Sequence, residues 1–358
     1  MTSKRVMVGM SGGVDSAVAA YLLKEAGYEV IGITLRTWVS SDGEEGRCCE
    51  IDDAAAACAR IGIRFHAFNC TSDFDAKVIK PFIDAYLNGT TPNPCILCNR
   101  YIKWEKLLYY ADVHKADYIA TGHYAHVEKL DNGRYTVRTA AHAKKDQSYM
   151  LYKLTQEQLS RTLMPLADLS KDEVRSIAVS AGLLVADKPD SQEICFVPDD
   201  DYAGFIMSEC EESIPGEGDF TDEEGNVLGR HKGIIHYTIG QRKGLGLAMG
   251  HPVFVKSIDA ANNRVVICDD ESLFVHTVMC RDVNFMSIPG IEPGKKIRCA
   301  AKIRYHHTPQ DASAYMQGDI LVLEFDEPVR AAAAGQSAVM YDTNGCVIGG
   351  GIITGSQT

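Results

Sequence analysis

Apolar positions in the first part of the chain alternate between two spacings. Short continuous apolar runs such as "RVMVGM" and "EVIGITL" fit buried parallel strands, and helical spacing prevails in the segments between them. "DSAVAAYLLKEAG" and "IDDAAAACARIG" are two such helices, and Gly27 and Gly62 are expected to end them. This alternation predicts a doubly wound α/β sheet.

The alternation continues to about residue 205 and then gives way to another pattern. Helices are predicted over residues 74–88 and 100–114, and Ser170 and Glu173 have the spacing of a capping box at the start of a later helix. Beyond residue 205 helical periodicity disappears, and short β-rich runs such as "HPVFVKSI" and "DILVLEF" stand between turn residues. We predict an α/β domain over residues 1–205 and two small β-rich domains over residues 206–275 and 276–358.

Composition places the chain among ordinary globular proteins, since 46% of its 358 residues are apolar. The apolar stretch at the amino terminus is too short for a signal peptide, and no apolar run approaches the length of a membrane span. We therefore expect a cytoplasmic protein with no membrane partner. Twelve cysteines in such a compartment are expected to be thiols or ligands rather than disulfides. Six lie in apolar periodic segments and are predicted to be packed core thiols: Cys58, Cys70, Cys268, Cys280, Cys299 and Cys346.

The net charge of −12 is unevenly distributed. Residues 208–229 carry acids and no Lys or Arg, whereas residues 230–256 and 295–307 carry Lys and Arg and no acid. Basic stretches can meet phosphates even in an acidic protein, because salt confines their field to about 8–10 Å. Charge alone leaves open whether they bind nucleic acid or are solvated faces of strands.

"GMSGGVDS", residues 9–16, follows the first strand directly and opens the first helix. Gly12 and Gly13 allow the backbone to aim N–H groups at an anion on the positive end of that helix. Ser11 and Ser16 add hydroxyl donors, and Asp15 could orient the loop or help to hold Mg²⁺. The segment has neither the Lys-Ser/Thr ending of a Walker A loop nor the spacing G-x-G-x-x-G.

This loop resembles the SGGxDS signature of the PP-loop ATP pyrophosphatases. The resemblance implies that ATP is split between its α and β phosphates and that AMP is placed on a substrate oxygen. Asparagine, GMP and NAD synthetases and several tRNA-modifying enzymes share the loop, so it leaves the substrate open. The expected ATP site comprises the loop and two residues at the ends of neighbouring strands: Gly9, Met10, Ser11, Gly12, Gly13, Val14, Asp15, Ser16, Leu35 and Gly122.

"TPNPCILCN", residues 91–99, sets Cys95 and Cys98 three positions apart in a predicted loop stiffened by two prolines. The spacing alone is compatible with a metal site, a redox pair or sulfur chemistry. A structural zinc site would need a fourth ligand, for which Cys48 and Cys49 are candidates.

A longer resemblance covers essentially the whole chain. "SGGVDS", "TPNPCILCNRYIKW", "ATGHYA", "KKDQSYMLY", "DSQEICFV", "HYTIGQRKGLG" and "GQSAV" occur in the order, and at roughly the spacings, found in the tRNA-specific 2-thiouridylase (MnmA/TrmU) family. It implies an N-terminal α/β doubly wound domain of the HUP/PP-loop (adenine nucleotide alpha hydrolase-like) type, then two small β-rich domains, the last barrel-like. It also implies that sulfur replaces O2 of the wobble uridine in Lys, Glu and Gln tRNAs.

Carried onto matching positions, the resemblance makes Cys98 the nucleophile and Cys195 the carrier of a persulfide. Helix N-terminal amides after Cys98, together with Arg100, are expected to favour the thiolate. The persulfide would attack the adenylated C2 of uridine, and Cys98 would then attack the bound sulfur and leave a Cys98–Cys195 disulfide. An alternative order, in which Cys98 first frees hydrosulfide, stays open.

Cys95 stands where the family often has Asp. A carboxylate at this position could serve as acid or base at the target uridine, and Cys95 does not carry one. The substitution creates a trio, Cys95, Cys98 and Cys195, and some related tRNA thiolases use such a trio to hold a [4Fe–4S] cluster. Three thiolates would leave one iron open to bind hydrosulfide, an alternative way to present sulfur.

The resemblance also assigns contacts to the RNA and implies two partners, tRNA and a cysteine desulfurase or sulfur-relay protein. Lys145 and Arg304 suit phosphates, and Tyr305 could stack on a base. "HYTIGQRKGLG" could clamp the RNA backbone or form a tight hairpin. The expected contacts with the target base and the tRNA are Asn93, Pro94, Cys95, His123, Lys145, Asp146, Gln147, Arg304, Tyr305 and Gln336.

Two other functions are compatible with parts of the sequence. A PP-loop ligase or amidotransferase using ammonia would need a glutaminase partner and would not depend on Cys195. A non-catalytic RNA-binding protein with zinc on its CxxC would release no pyrophosphate from ATP.

Overall fold

The computed structural model describes residues 3–39, 50–186, 188, 194–197, 201–210 and 214–357. The chain forms two compact units, the first made of Met1–Ile79, Cys95–Asp200 and Asn344–Val347 and the second of Lys80–Pro94, Asp201–Thr343 and Ile348–Thr358. The predicted domain boundaries near residues 205 and 275 stay predictions. Cys48 and Cys49, the candidate zinc ligands, lie outside the described residues.

The first unit is built on a five-stranded sheet with the order β3-β2-β1-β4-β7. All four strand pairings in it are parallel, which confirms the predicted α/β sheet. The strand order reverses between β1 and β4, and such a switch point leaves a crevice at the carboxyl ends of the strands. The strands are β1 (Arg5–Gly9), β2 (Glu29–Arg36), β3 (Arg64–Asn69), β4 (Tyr118–Ala120) and β7 (Thr162–Leu163).

Helices of the first unit pack on this sheet and largely match the predicted ones. Gly62 ends α2 in the left-handed region, and Ser170 and Glu173 form both bonds of the predicted capping box at α8. A hairpin of β5 (His126–Lys129) and β6 (Tyr135–Arg138) was missed. The helices are α1 (Val14–Glu25), α2 (Ile51–Ile61), α3 (Thr71–Phe74), α5 (Pro94–Leu97), α6 (Glu105–Val113), α7 (Gln156–Ser160) and α8 (Lys171–Ser180), with π-helical turns at Asp75–Ile79 and Cys98–Trp104.

The second unit contains a four-stranded sheet with the order β10-β11-β8-β9 and a closed barrel with the order β12-β15-β14-β13-β16-β17. The barrel confirms the barrel-like prediction for the end of the chain. Its strands alternate buried and outward residues, as Ala312 and Ala314 show on β14. The strands are β8 (Gly218–Thr221), β9 (Val227–His231), β10 (Phe254–Asp259), β11 (Arg264–Cys268), β12 (Phe274–Phe285), β13 (Ile297–Lys302), β14 (Gln310–Gln317), β15 (Ile320–Arg330), β16 (Ser337–Tyr341) and β17 (Val347–Gln357).

Two helices also belong to the second unit, α4 (Lys80–Leu87) and α9 (Tyr202–Glu209). Helical structure therefore extends past residue 205, where the sequence pattern predicted its end. Asp201 caps α9 by accepting a hydrogen bond from the Gly204 N–H, and Phe205 and Ile206 are buried. Among the described residues, no helix is both long enough and apolar enough to cross a bilayer.

Candidate active site

The phosphate loop, residues 9–16, forms the turn between β1 and α1. Gly12 has φ +81°, and a Cβ there would lie 2.7 Å from the Glu50 Cβ, so both conformation and space require glycine. Ser16 Oγ donates to the Gly13 carbonyl at 3.0 Å and accepts from the Ser11 N–H at 3.1 Å. These bonds hold the loop in a closed turn.

Neighbouring strands fasten the loop from two sides. Thr34 Oγ1, near the end of β2, donates to the Met10 carbonyl at 2.8 Å, and Leu35 follows it in the strand. Gly122, after β4, lies so close that a Cβ would be 2.7 Å from the Asp15 carbonyl carbon. The predicted ATP residues from β1, β2 and β4 therefore meet at one edge of the sheet.

The Asp15 carboxylate is held by two residues that the sequence did not single out. Tyr124 Oη donates to Asp15 Oδ1 at 2.6 Å, and Lys171 Nζ donates to both carboxylate oxygens at 2.8 and 2.9 Å. Tyr124 is buried, and the Lys171 side chain is only 13% exposed. Lys171 begins α8, 156 positions beyond Asp15, so no local spacing connects the two residues.

These residues fit a triphosphate better than a protein-ligated metal. Gly13 caps α1 without a side-chain hydrogen bond, which leaves the positive helix end to an anion. Asp15 is already paired with Lys171, and the described residues contain no group of three or more His, Cys, Asp or Glu side chains that could hold a metal ion. Mg²⁺ would therefore take most of its ligands from phosphates and water.

The prediction that Cys95 lies in a loop and Cys98 at a helix start is wrong. A continuous helix begins at Pro94 as α5 and passes through the π-helical turn Cys98–Trp104 into α6. Proline is favoured at the first helical position because it has no N–H to satisfy. Cys95 is half-buried in the first turn, and Cys98 is 7% exposed at the start of the π-helical turn, a feature frequent at functional sites.

Arg100 is hydrogen-bonded to Gln158, and its expected effect on the Cys98 thiolate stays a prediction. Its Nη1 donates to Gln158 Oε1 at 2.7 Å, and Gln158 Nε2 donates back to the Arg100 carbonyl at 3.2 Å. The cation that acts on Cys95 is Lys103. Burial raises the pKa of the Cys95 thiol, and the Lys103 charge opposes that rise.

His123 lies in the central turn, residues 121–124, which follows β4. Its Nδ1 lies 2.8 Å from Thr121 Oγ1, and its ring centroid lies 5.2 Å from that of Trp104 in the helix that carries the cysteines. Burial, reinforced by the charge of Lys103, lowers the pKa of His123 well below its usual value. The imidazole is therefore uncharged at neutral pH.

The central turn also holds the predicted tRNA segment at residues 145–147. The Gln147 N–H donates to the Tyr124 carbonyl at 3.0 Å, and the Tyr124 N–H donates to Gln147 Oε1 at 2.9 Å. Asp146 is used within its own segment, where it accepts from Ser148 Oγ at 2.8 Å. The turn thus contacts the phosphate loop, the cysteine helix and the 145–147 segment.

Cys195 is half-buried in a short described segment, residues 194–197. Phe196 beside it packs edge-on against Phe74 at 5.5 Å between ring centroids. Cys95, Cys98 and Cys195 form no three-ligand metal group in the described part of the chain. The cluster and the pairing of Cys98 with Cys195 stay predictions.

In the second unit, the side chains of the basic stretch at residues 295–307 differ in their surroundings. Arg304 Nη1 donates to the Arg330 carbonyl at 3.4 Å, and the Tyr305 ring lies 4.7 Å from that of His306. Three other cations of the stretch pair with acids on the barrel surface, as the solvated-face interpretation predicts: Lys295 with Glu292, Lys296 with Glu324, and Arg298 with Asp326.

Comparisons with known proteins cover nearly the whole chain. Residues 4–199 match the tRNA methyl transferase HUP domain, residues 204–269 the tRNA methyl transferase PRC-barrel domain, and residues 275–353 the aminomethyltransferase beta-barrel domain. The tRNA-specific 2-thiouridylase MnmA of Lachnoclostridium phytofermentans is 50% identical over 358 residues, which cover 98% of this chain and 99% of the relative. The chain belongs to the tRNA-specific 2-thiouridylase (MnmA) family. MnmA of Acetivibrio thermocellus is 49% identical over 362 residues, covering 99% of this chain and all of the relative.

Membership of the MnmA family confirms the family and the enzyme class predicted from the motifs. MnmA proteins are PP-loop enzymes, so membership of this family implies that the protein uses ATP with Mg²⁺. The U34-tRNA thiolase NcsA from Methanococcus maripaludis, with its [4Fe-4S] cluster, is 24% identical with a TM-score of 0.35, covering 53% of this chain and 60% of that chain. That likeness carries no argument about a cluster in this protein.

Proposed function

We propose that this protein catalyses the ATP-dependent 2-thiolation of the wobble uridine in Lys, Glu and Gln tRNAs. The observation that carries the proposal is the central turn, residues 121–124, which contacts both the phosphate loop and the cysteine helix. Enzymes that activate an oxygen with ATP and replace it with sulfur need both chemistries at one carbonyl group of the substrate. The names of the near-full-length relatives, tRNA-specific 2-thiouridylase, support a uridine of tRNA as that substrate.

The first step activates the uridine. Its O2 attacks the α-phosphorus of ATP, the bond to the β-phosphate oxygen breaks, and pyrophosphate leaves while AMP stays on O2. Amides at the start of α1 and the hydroxyls of Ser11 and Ser16 would stabilise the charge on the phosphates. Mg²⁺, when bound, would neutralise part of the same charge.

The second step exchanges oxygen for sulfur. The terminal sulfur of a Cys195 persulfide attacks C2, and the C2–O2 bond breaks so that AMP leaves with the oxygen. The Cys98 thiolate then attacks Sγ of Cys195 and expels the sulfur on C2 as 2-thiouridine. The product disulfide must be reduced by two electrons, and a cysteine desulfurase or sulfur-relay protein must reload Cys195, before the next turnover.

Binding of the tRNA is assigned to the remaining predicted residues. Lys145 and Arg304 would contact phosphates, and Tyr305 would stack on a base. The target uridine, after it leaves the anticodon stack, would be contacted by Asn93, Pro94 and Cys95. Further contacts with the tRNA would come from His123, Asp146, Gln147 and Gln336. An unpaired loop nucleotide is the easiest to extrude, at a cost of a few kcal/mol or less.

The test uses full-length protein, unmodified tRNA-Glu transcript, Mg-ATP and a persulfide donor. Mass spectrometry of nucleosides should show 2-thiouridine, and AMP and pyrophosphate should form in step with it. Cys98→Ser and Cys195→Ser should abolish 2-thiouridine, whereas Cys210→Ser, another half-buried cysteine, should not. Pyrophosphate formation without tRNA thiolation, but with ammonia incorporated into a substrate, would indicate a ligase instead. No pyrophosphate in any condition would indicate a non-catalytic RNA-binding protein.

A second measurement separates persulfide from cluster chemistry. Protein purified without oxygen should be free of iron and of absorbance near 400 nm, and should still thiolate tRNA. Iron bound in proportion to activity, and lost in Cys95→Ser, would favour the cluster.

A further inference from the structure

The target-base loop, residues 91–94, is held by a turn of the barrel that follows β15. The Thr91 N–H donates to the Ala334 carbonyl at 2.9 Å. Gln336 Nε2 donates to the Thr91 carbonyl at 2.8 Å and to the Pro92 carbonyl at 3.4 Å. One side chain and one backbone group of the turn therefore bind three successive polar groups of the loop.

The turn approaches the loop as closely as a backbone can. Gly335 has φ +91°, and a Cβ there would lie 2.9 Å from the N, C and O atoms of Thr91. The turn is itself fixed to β17, since the Gly335 N–H donates to the Ile353 carbonyl at 2.9 Å and the Ile353 N–H donates to the Gln336 carbonyl at 2.7 Å. The barrel thus holds residues 91–93, which have no regular secondary structure, directly before the helix that begins at Pro94.

We propose that Gln336 is a positioning residue, which fixes the target-base loop and, through it, the start of the cysteine helix. This inference rests on the proposed function, because it assigns the loop to the target uridine. Both donors of the Gln336 amide point at loop carbonyls, so its main effect is on the geometry of the loop. A displacement of about 1 Å at a reacting centre can cost about 100-fold in rate.

Positioning and direct RNA contact predict different kinetics. A residue that fixes the loop lowers kcat at saturating tRNA and leaves the Kd of the tRNA almost unchanged. A residue that contacts RNA raises the Kd, as Arg304→Ala is expected to do, together with a shallower salt dependence.

The experiment compares Gln336→Leu and Gln336→Glu, which keep the size of the side chain and remove both donors, with Gln317→Leu, an exposed glutamine on β14. We expect kcat for 2-thiouridine formation to fall at least about 10-fold in both Gln336 variants, with the tRNA Kd within about twofold. Hydrogen exchange at the Thr91 amide should accelerate in both variants. Gln317→Leu should change neither quantity.

A raised tRNA Kd with unchanged kcat, or an unchanged Thr91 exchange rate, would overturn the positioning role. The exchange measurement needs no substrate. If wild-type protein makes no 2-thiouridine, the proposed function fails, while Thr91 exchange still decides whether Gln336 holds the loop.

Discussion

The phosphate loop and the cysteine helix lie in the same unit but offer opposite surroundings. In the phosphate loop, the charged carboxylate of Asp15 accepts hydrogen bonds from Lys171 and Tyr124. Near the cysteine helix, burial raises the pKa of the Cys95 thiol and lowers the pKa of the His123 imidazole. Both groups are therefore uncharged at neutral pH. The comparison indicates a division between a site built for phosphate charge and a site kept neutral for sulfur.

This division has a chemical reason within the proposed function. Splitting ATP develops charge that fixed donors and cations can stabilise. Burial protects a thiol such as Cys95 from side reactions while it stays protonated. The charge of Lys103 acts on both groups, since it opposes the raised pKa of Cys95 and adds to the lowered pKa of His123.

The largest expected effect concerns the charged surroundings of the phosphate loop. Lys171→Met should lower the rate of tRNA-dependent pyrophosphate release about 100-fold, because it removes a fixed cation from the phosphate loop. Lys171→Arg should retain a substantial part of that rate. Lys295→Met removes an exposed lysine paired with Glu292 and serves as the control. Equal rates for Lys171→Met and the control would remove Lys171 from the nucleotide site.

The second prediction concerns the shape of the loop rather than its charge. Gly12→Ala should lower the free energy of unfolding by about 2 kcal/mol, because the new Cβ meets Glu50 and the backbone stays in the left-handed region. Gly13→Ala is the matched control, since its Cβ would come no closer than 3.5 Å to Ser11 Oγ. Urea unfolding measures both variants, and similar losses would contradict the structure of the turn.

The third prediction concerns the uncharged Cys95 thiol in the cysteine helix. Because burial raises the pKa of Cys95, its alkylation by iodoacetamide should still accelerate as the pH passes 9. Lys103→Met should slow the reaction a few-fold at any pH below that, since the opposing charge is gone. Peptide mass spectrometry resolves Cys95 from the other thiols. A rate that levels off near neutral pH would mean that the thiol is already ionised.

The smallest expected effect is on stability in acid. The unfolded chain protonates His123 near pH 6.5, whereas the folded chain does not, so stability should fall as the pH drops below about 6.5. One such group contributes about 1 kcal/mol or less between pH 6.5 and 5.5. His123→Gln should remove that part of the slope in urea unfolding at the two pH values. Parallel curves for the variant and the wild type would show that His123 titrates normally.

Sequence patterns predicted much of the fold because helices, strands and caps depend on residues that are close together in the sequence. The parallel strands, the stop at Gly62 and the capping box at Ser170 follow from spacings of a few residues. The start of the cysteine helix was missed although Pro94 is a signal for a first helical turn, and α9 was missed because it is short. The hairpin of β5 and β6 was also missed, since its strands have four residues each.

Within the candidate site, the phosphate loop could be predicted from eight consecutive residues, because their glycines and hydroxyls and their place between a strand and a helix are local features. Tertiary structure alone decided which charges act there. Lys171 reaches Asp15 across 156 positions, Arg100 is engaged by Gln158, and Gln336 binds the carbonyl of Thr91 across 245 positions. Backbone conformation depends on adjacent residues, whereas electrostatic and hydrogen-bond partners depend on distance in space, which the packing of the whole chain determines.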